Sequence, residues 1–229
     1  PIFEADFEDT AYGYRPGKGA GGAIRKVHKL ICQGYTDVVD ADLSKYFDTI
    51  PHGPLMQSVA RRIVDRHMLR LIKLWLKAPV EDRDATGGRR VTGGKKQKLG
   101  TAQGGVISPL LANLYMNRFL KHWRGSGRSA LFRAEIVSYA DDFVILSRDC
   151  AAEALVWTRA TISKLGLSLN EEKTSIRNAR SDSFDFLGYT FGPQYYRKTG
   201  HWYLGASPSH KSVRRLKGKV NTLLNVRNK

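Results

Sequence analysis

The sequence predicts an α+β fold, an antiparallel sheet with helices packed on one face. Three observations carry this. Apolar residues make up 41% of the 229 positions, enough to bury a substantial core. Helical and strand-like periodicities alternate irregularly, unlike the regular βαβ order of a doubly wound sheet. Two apolar runs, Ile136-Val137 and Phe143–Leu146, flank the acidic pair Asp141-Asp142 and read as a hairpin over 135–147.

The remaining elements follow in order. Residues 1–20, rich in Gly and Tyr, read as loop. Ala23, Ile24, Val27, Leu30 and Ile31 give helical spacing over 20–33. Val38, Val39 and Ala41 mark a buried strand within 35–43. Leu55, Val59, Ile63, Leu69, Ile72 and Leu76 predict one or two helices over 53–77, ended by Pro79. Gly87-Gly88 and Gly93-Gly94 bracket a basic hairpin over 86–98. Ser108-Pro109 signals a helix running from Leu110 to about Trp123. A helix over 151–165 follows, then strands over 184–191 and 201–204, and a basic helix from Ser209. Val213, Leu216, Val220, Leu223 and Leu224 share one face of that last helix.

Charge narrows the partners. Lys and Arg number 38 against 21 Asp and Glu, a net +17. Such an excess favours a polyanion through counterion release, although a solvated basic face has the same composition. No stretch is long and apolar enough to span a bilayer, so no membrane partner is expected. Cys32 and Cys150 lie far apart in apolar sequence, without zinc or disulfide spacing, and read as two buried thiols of a reducing cytosol. With no signal peptide at Pro1, the expected location is cytoplasmic, in a bacterial cytosol or an organelle-like compartment.

Chemistry concentrates in two acidic clusters, Asp40-Ala41-Asp42 ending the strand and Asp141-Asp142 within the hairpin. Asp is unfavourable in strands, so adjacent carboxylates among Ile136, Val137, Phe143, Val144 and Ile145 carry a local cost. Three carboxylates on neighbouring strands suit hard divalent cations, and a pair of such ions clamps both oxygens of a phosphoryl transfer. The alternative is a plain turn dipeptide.

These clusters sit in a larger pattern. Tyr139-Ala140-Asp141-Asp142 resembles the YADD box of reverse transcriptases, and Asp42 with Phe47 resembles their preceding palm motif. The run from Gly100 through Gln103, Gly104 and Gly105 to Asn113 resembles the long box between them in group II intron enzymes. Residues 165–174, Phe186-Leu187-Gly188-Tyr189 and Ala11–Gly17 resemble the next motif, the primer grip and a fingers segment. Six boxes in family order are spread across residues 11–191. Ala102, Ala11 and Tyr14 depart from the family's usual Pro, Ser and Phe.

The resemblance implies a right-hand polymerase palm with partial fingers and the start of a helical thumb. Its boundaries would be fingers over 1–37, palm over 38–205 with a fingers-side insertion at about 78–105, and thumb or maturase helix over 206–229. It implies an RNA-directed DNA polymerase acting with intron RNA as template, a DNA or RNA primer and dNTPs. Two Mg²⁺, or Mn²⁺, would be held by Asp42, Asp141, Asp142 and the carbonyl of Leu43. Lys173 would protonate the leaving pyrophosphate, or be a solvated lysine. Phe47 would exclude a 2′-hydroxyl, or be a plain core phenylalanine. Gln103 would contact the incoming nucleotide or template, with Gly104 and Gly105 letting the backbone approach it, or the segment would be a plain glycine turn. Arg15 would reach phosphate or template, or serve the fold. Leu187, Gly188 and Tyr189 would support the primer, although a core strand accounts equally for Phe186 and Leu187. Arg89, Arg90, Lys95, Lys96, Lys98, Lys211, Arg214, Arg215, Lys217 and Lys219 would contact backbone phosphates or be solvated, and Asp40 and Asp48 would be structural. Because the family's fingers segment extends upstream of Ala11–Gly17, the isolated chain is expected to polymerise poorly. Two other readings stay open: an RNA-binding splicing module without polymerase activity, and a related bacterial enzyme of defence, CRISPR-linked or diversity-generating biology.

Overall fold

The computed structural model describes residues 2–83, 88–94 and 96–224. A 3₁₀ turn (Glu4–Asp6) precedes α1 (Ala20–Cys32), β1 (Asp37–Asp42), α2 (Tyr46–Thr49), α3 (His52–Ala60) and α4 (Arg66–Leu76). Then come β2 (Val80–Arg83), β3 (Arg89–Thr92), α5 (Ser108–Gly125), α6 (Arg128–Leu131), β4 (Ala134–Tyr139) and β5 (Asp142–Ser147). The chain continues with α7 (Ala151–Lys164), β6 (Ser175–Asn178), β7 (Phe184–Phe186), β8 (Tyr189–Tyr196), β9 (His201–Pro208) and α8 (His210–Leu224).

The central sheet is antiparallel, in the order β4-β5-β1-β6. Strand alternation divides its side chains between two cores. Val39, Ala41, Ile136, Phe143 and Ile145 point to the expected helical layer, where they join Leu111, Tyr115 and Phe119 of α5 and Ala154 and Ile162 of α7. Val38, Val137, Val144 and Leu146 point the other way. There they meet Ala23, Val27, Leu30 and Ile31 of α1 and Phe184, Phe186 and Phe191 of a second sheet, β7-β8-β9. This second layer was not expected. It lets strands with apolar residues on both faces, such as Val38-Val39, bury them all.

Several expectations are corrected. Residues 184–191 are not one strand. They break at Leu187-Gly188, whose φ values of +49° and +79° make the two-residue turn of a hairpin pairing Phe186 with Tyr189. The basic hairpin begins earlier, pairing Val80–Arg83 with Arg89–Thr92. β6 was missed, since Ile176 is the one apolar residue among its four. The amino-terminal loop is pinned rather than free. Tyr12 N donates to Ser138 O (2.8 Å), Ser138 N donates to Thr10 O (2.9 Å), and Asn117 takes Glu8 N and donates to Asp6 O. Cys32 is exposed and Cys150 half-buried, against the expectation of two buried thiols. No helix among the described residues is long and apolar enough to cross a membrane.

Candidate active site

The acidic clusters meet at one end of the central sheet. β1 and β5 are antiparallel neighbours, and their register sets Asp42 directly opposite Asp142. Such opposed side chains lie about 5 Å apart at Cβ. Asp141 occupies the two-residue turn that joins β4 to β5, and Leu43 N donates to Asp141 O (3.3 Å). Ala140, the other turn residue, has φ +57°. That conformation costs an alanine on the order of 1–3 kcal/mol and persists only where surrounding structure enforces it.

Enforcement comes from the amino-terminal segment. Gly13 lies so close beneath the turn that an added Cβ would sit 2.7 Å from Ala140 N. Buried Asn113 of α5 fixes Gly13 by donating Nδ2 to its carbonyl (2.7 Å). From below, Tyr46 donates its hydroxyl to Ala112 O (2.7 Å).

The electrostatics reflect crowding of like charge. Asp142 is pushed up to about 7, first by burial, then by the charge of Asp141 and by a hydrogen bond and charge from Asp42. Asp141 is raised mainly by burial. Asp40, one side-chain step deeper on the same face, is raised to about 6, again by burial first, with Arg177 opposing. Burial and like charge thus favour the protonated forms of Asp141 and Asp142, and nearby positive charge opposes them. Lys173 supplies part of it, its Nζ 3.0 Å from Asp42 Oδ2, and that contact raises the lysine's pKa. Asn170 Nδ2 reaches the same oxygen at 3.3 Å.

The donor set fits hard divalent ions. Leu43, next to Asp42 in the chain, lines the cavity, and its carbonyl accepts no hydrogen bond among the described residues. As the side chains stand, no three carboxylate, histidine or cysteine groups among the described residues converge on one ion-sized point; Asp42 turns instead to Lys173 and Asn170. Above the carboxylates opens a cavity of about 760 Å³, lined by Asp42, Leu43, Phe47, Gln103, Gly104, Asp141 and Lys173. Tyr14, Lys45 and Asn170 also line it, and sequence reasoning gave them no role. Asn170 had a signal, standing three residues before Lys173 in one box.

Gln103 donates Nε2 to both carboxylate oxygens of Asp48, at 3.1 and 3.3 Å. Asp48, expected to be merely structural, therefore orients the cavity's glutamine. Phe47 packs edge-on against Tyr46 (centroids 5.8 Å, 66°). Arg15 turns away from the site. It is buried, pairing with Glu4 at 2.6 Å and donating to the carbonyls of Glu8 and Ala11. Of the two expected roles, contact with phosphate or template gives way to a role in the fold, because these acceptors take up the guanidinium.

Leu187-Gly188 rests on the start of α8, where Ser209 N and Ser212 Oγ donate to Gly188 O at 2.9 and 3.0 Å. Lys96, Lys98, Lys211, Arg214, Arg215, Lys217 and Lys219 are exposed. Only the backbone is described for Arg89 and Arg90, and Lys95 lies outside the described residues.

Comparison with known proteins agrees with this geometry. Residues 2–191 match the family described as reverse transcriptase (RNA-dependent DNA polymerase). Protein YkfC of Escherichia coli is 34% identical over 224 residues, covering 82% of this chain and 56% of that protein. The group II intron-encoded protein LtrA of Lactococcus lactis is 33% identical over 120 residues, 52% of this chain and 18% of that protein. The chain thus spans about half the length of the E. coli relative and less of the other. Among solved structures, apo telomerase from Candida tropicalis superposes with a TM-score of 0.61 at 13% identity, over 86% of this chain and 41% of that one. At that identity the likeness speaks for the fold. With its carboxylates at the end of an antiparallel palm sheet and the match spanning residues 2–191, the chain belongs to the reverse transcriptase (RNA-dependent DNA polymerase) family.

Proposed function

We propose that the chain is the catalytic portion of a group II intron-type reverse transcriptase, adding dNTPs to a primer 3′-hydroxyl on an RNA template. The observation that carries this is the register pairing of Asp42 with Asp142, with Asp141 in the adjoining turn at the rim of a nucleotide-sized cavity. The family generally uses divalent metal ions, and we assign Mg²⁺, with Mn²⁺ as substitute. Bound there, such ions lower the pKa of the attacking hydroxyl and offset the triphosphate's charge.

The chain's own groups divide the rest. Asp42, Asp141, Asp142 and the Leu43 carbonyl hold the ions. Lys173, kept protonated by Asp42, is positioned to give its proton to the departing pyrophosphate. Gln103 and Gly104 meet the nucleotide, and the Leu187-Gly188-Tyr189 turn supports the primer end. Exposed Lys96, Lys98, Lys211, Arg214 and Arg215 follow the phosphate backbone. Names of relatives such as LtrA support intron RNA as the template. Primer extension by the full-length protein tests the proposal: dNTP addition on an RNA template supports it, and addition absent with Mg²⁺ and Mn²⁺ refutes it.

Two consequences are measurable. Phe47→Val is expected to raise rNTP relative to dNTP incorporation by about 10-fold or more, the scale of pocket discrimination against small groups. Paired single-nucleotide insertion rates check this. The carboxylates set the second. Raised pKa values mean that the folded state holds extra protons between about pH 4 and about pH 7. The stability they contribute is present at low pH and lost as pH rises through about 7. Metal binding replaces those protons, so Mg²⁺ is expected to raise the melting temperature more at about pH 8 than at about pH 6. Thermal unfolding with and without Mg²⁺ checks it.

A further inference from the structure

The β8–β9 hairpin carries a feature that the polymerase site does not use. Its inner end is core: Phe191 is fully buried, stacked on Phe184 (centroids 5.3 Å, 16°), with Ala206 opposite. Its outer end projects into solvent with four aromatic rings. Trp202 is 70% exposed, Tyr195 52%, Tyr203 50% and Tyr196 46%. Tyr195 and Trp202 are register partners on one face, their centroids 5.4 Å apart and tilted by 52°. Tyr203 is held by its hydroxyl, which donates to Gln194 Oε1 (3.0 Å). The turn between the strands holds Arg197 and Lys198, and His201 follows.

A folding role does not account for these rings, since at about half exposure or more they bury little. Large aromatic groups grouped on a surface mark a binding site. The surrounding charge selects the partner. From Phe186 to Lys229 there are nine Lys and Arg and no Asp or Glu. A protein partner would use the rings without needing that exclusion of acid. A polyanion needs the cations, and if its bases are unpaired it also offers flat faces for the rings. A duplex presents the phosphates but keeps its bases stacked. The tip is also separate from the primer-end turn, which lies at the other end of eight-residue β8, about 20 Å away at strand rise.

We infer that the β8–β9 tip is a stacking platform for an unpaired stretch of nucleic acid, with Tyr195 and Trp202 taking bases and Arg197 and Lys198 taking phosphates. The inference rests on the reading of the chain as a nucleic-acid enzyme.

Fluorescence anisotropy of the full chain tests it, using labelled oligo(U) of about 20 nucleotides and an RNA duplex of equal length. Tyr195→Leu with Trp202→Leu is expected to weaken oligo(U) about 10-fold or more and the duplex less than about two-fold. Tyr195→Phe with Trp202→Phe is expected to keep oligo(U) within about two-fold. Arg197→Gln with Lys198→Gln is expected to lower the salt dependence by about two counterions. Unchanged oligo(U) binding by the leucine variant, or an equal loss on the duplex, overturns the inference and leaves a protein partner as the reading of the rings. Intrinsic fluorescence covers the case of a misfolded leucine variant. Oligo(U) is expected to quench wild type but not Trp202→Phe, and equal quenching in both overturns the inference. The binding assay needs no turnover: absent primer extension refutes the polymerase proposal alone, and unselective oligo(U) binding refutes the platform alone.

Discussion

Asn in place of both Asp141 and Asp142 is expected to lower primer extension by the full-length protein by about 10³-fold or more, the scale of several kcal/mol of lost charge stabilisation. Asp42→Asn is expected to do the same, because Asp42 and Asp142 face each other across one register position. The loss should fall on turnover and leave RNA binding in place, since amides remove repulsion beside a polyanion. Any help the protein gives to splicing by gripping RNA should therefore survive. Stability should move the opposite way. Burial and neighbouring charge push Asp142 up to about 7, so Asp142→Asn is expected to stabilise the metal-free protein at about pH 8 by on the order of 1–3 kcal/mol. A merely structural carboxylate would show the reverse, lower stability and intact turnover. Rates by single-turnover extension and stability by denaturant unfolding give both halves.

The second large effect is expected at a residue without functional groups. Gly13→Val would place a Cβ 2.7 Å from Ala140 N and 3.2 Å from the Tyr139 carbonyl carbon, both backbone atoms. Neither can swing aside like a side chain, so the Ala140-Asp141 turn must shift. Overpacking of this kind costs about 1–3 kcal/mol. Displacing Asp141 by about an ångström is expected to lower turnover about 100-fold. Gly53→Ala in α3 is the control, because nothing stands within 4 Å of its added Cβ, and activity should be unchanged. Asn113→Ala should follow Gly13→Val in direction, as it removes the buried hydrogen bond to Gly13 O.

The legible parts of this protein are those where one local rule decides. Apolar runs around Asp141-Asp142 marked the hairpin, and Val38-Val39 ending at Asp42 marked its neighbour. Ser108-Pro109 marked the start of α5 within two residues, since the helix expected from Leu110 begins at Ser108. What escaped depends on tertiary partners. Val38 and Val39 announce burial on both faces, but nothing local says that β7-β8-β9 supplies the second cover. Leu187 is a poor residue for positive φ, so the turn it shares with Gly188 hid inside an apolar run. β6 draws its identity from pairing with β1. Arg15 stood open between phosphate or template and a role in the fold, because its acceptors, Glu4 and two carbonyls, are visible only once the amino-terminal segment has folded back. Cys32 follows an apolar run but lies on the outward side of α1.

Anomalous scattering from a crystal of the protein soaked in Mn²⁺ tests the arrangement most directly. The expected result is manganese within about 2.0–2.6 Å of carboxylate oxygens of Asp42 and of Asp141 or Asp142, with Lys173 displaced from Asp42. Manganese bound only elsewhere, or Asp42 and Asp142 found on different faces of the sheet, would contradict it.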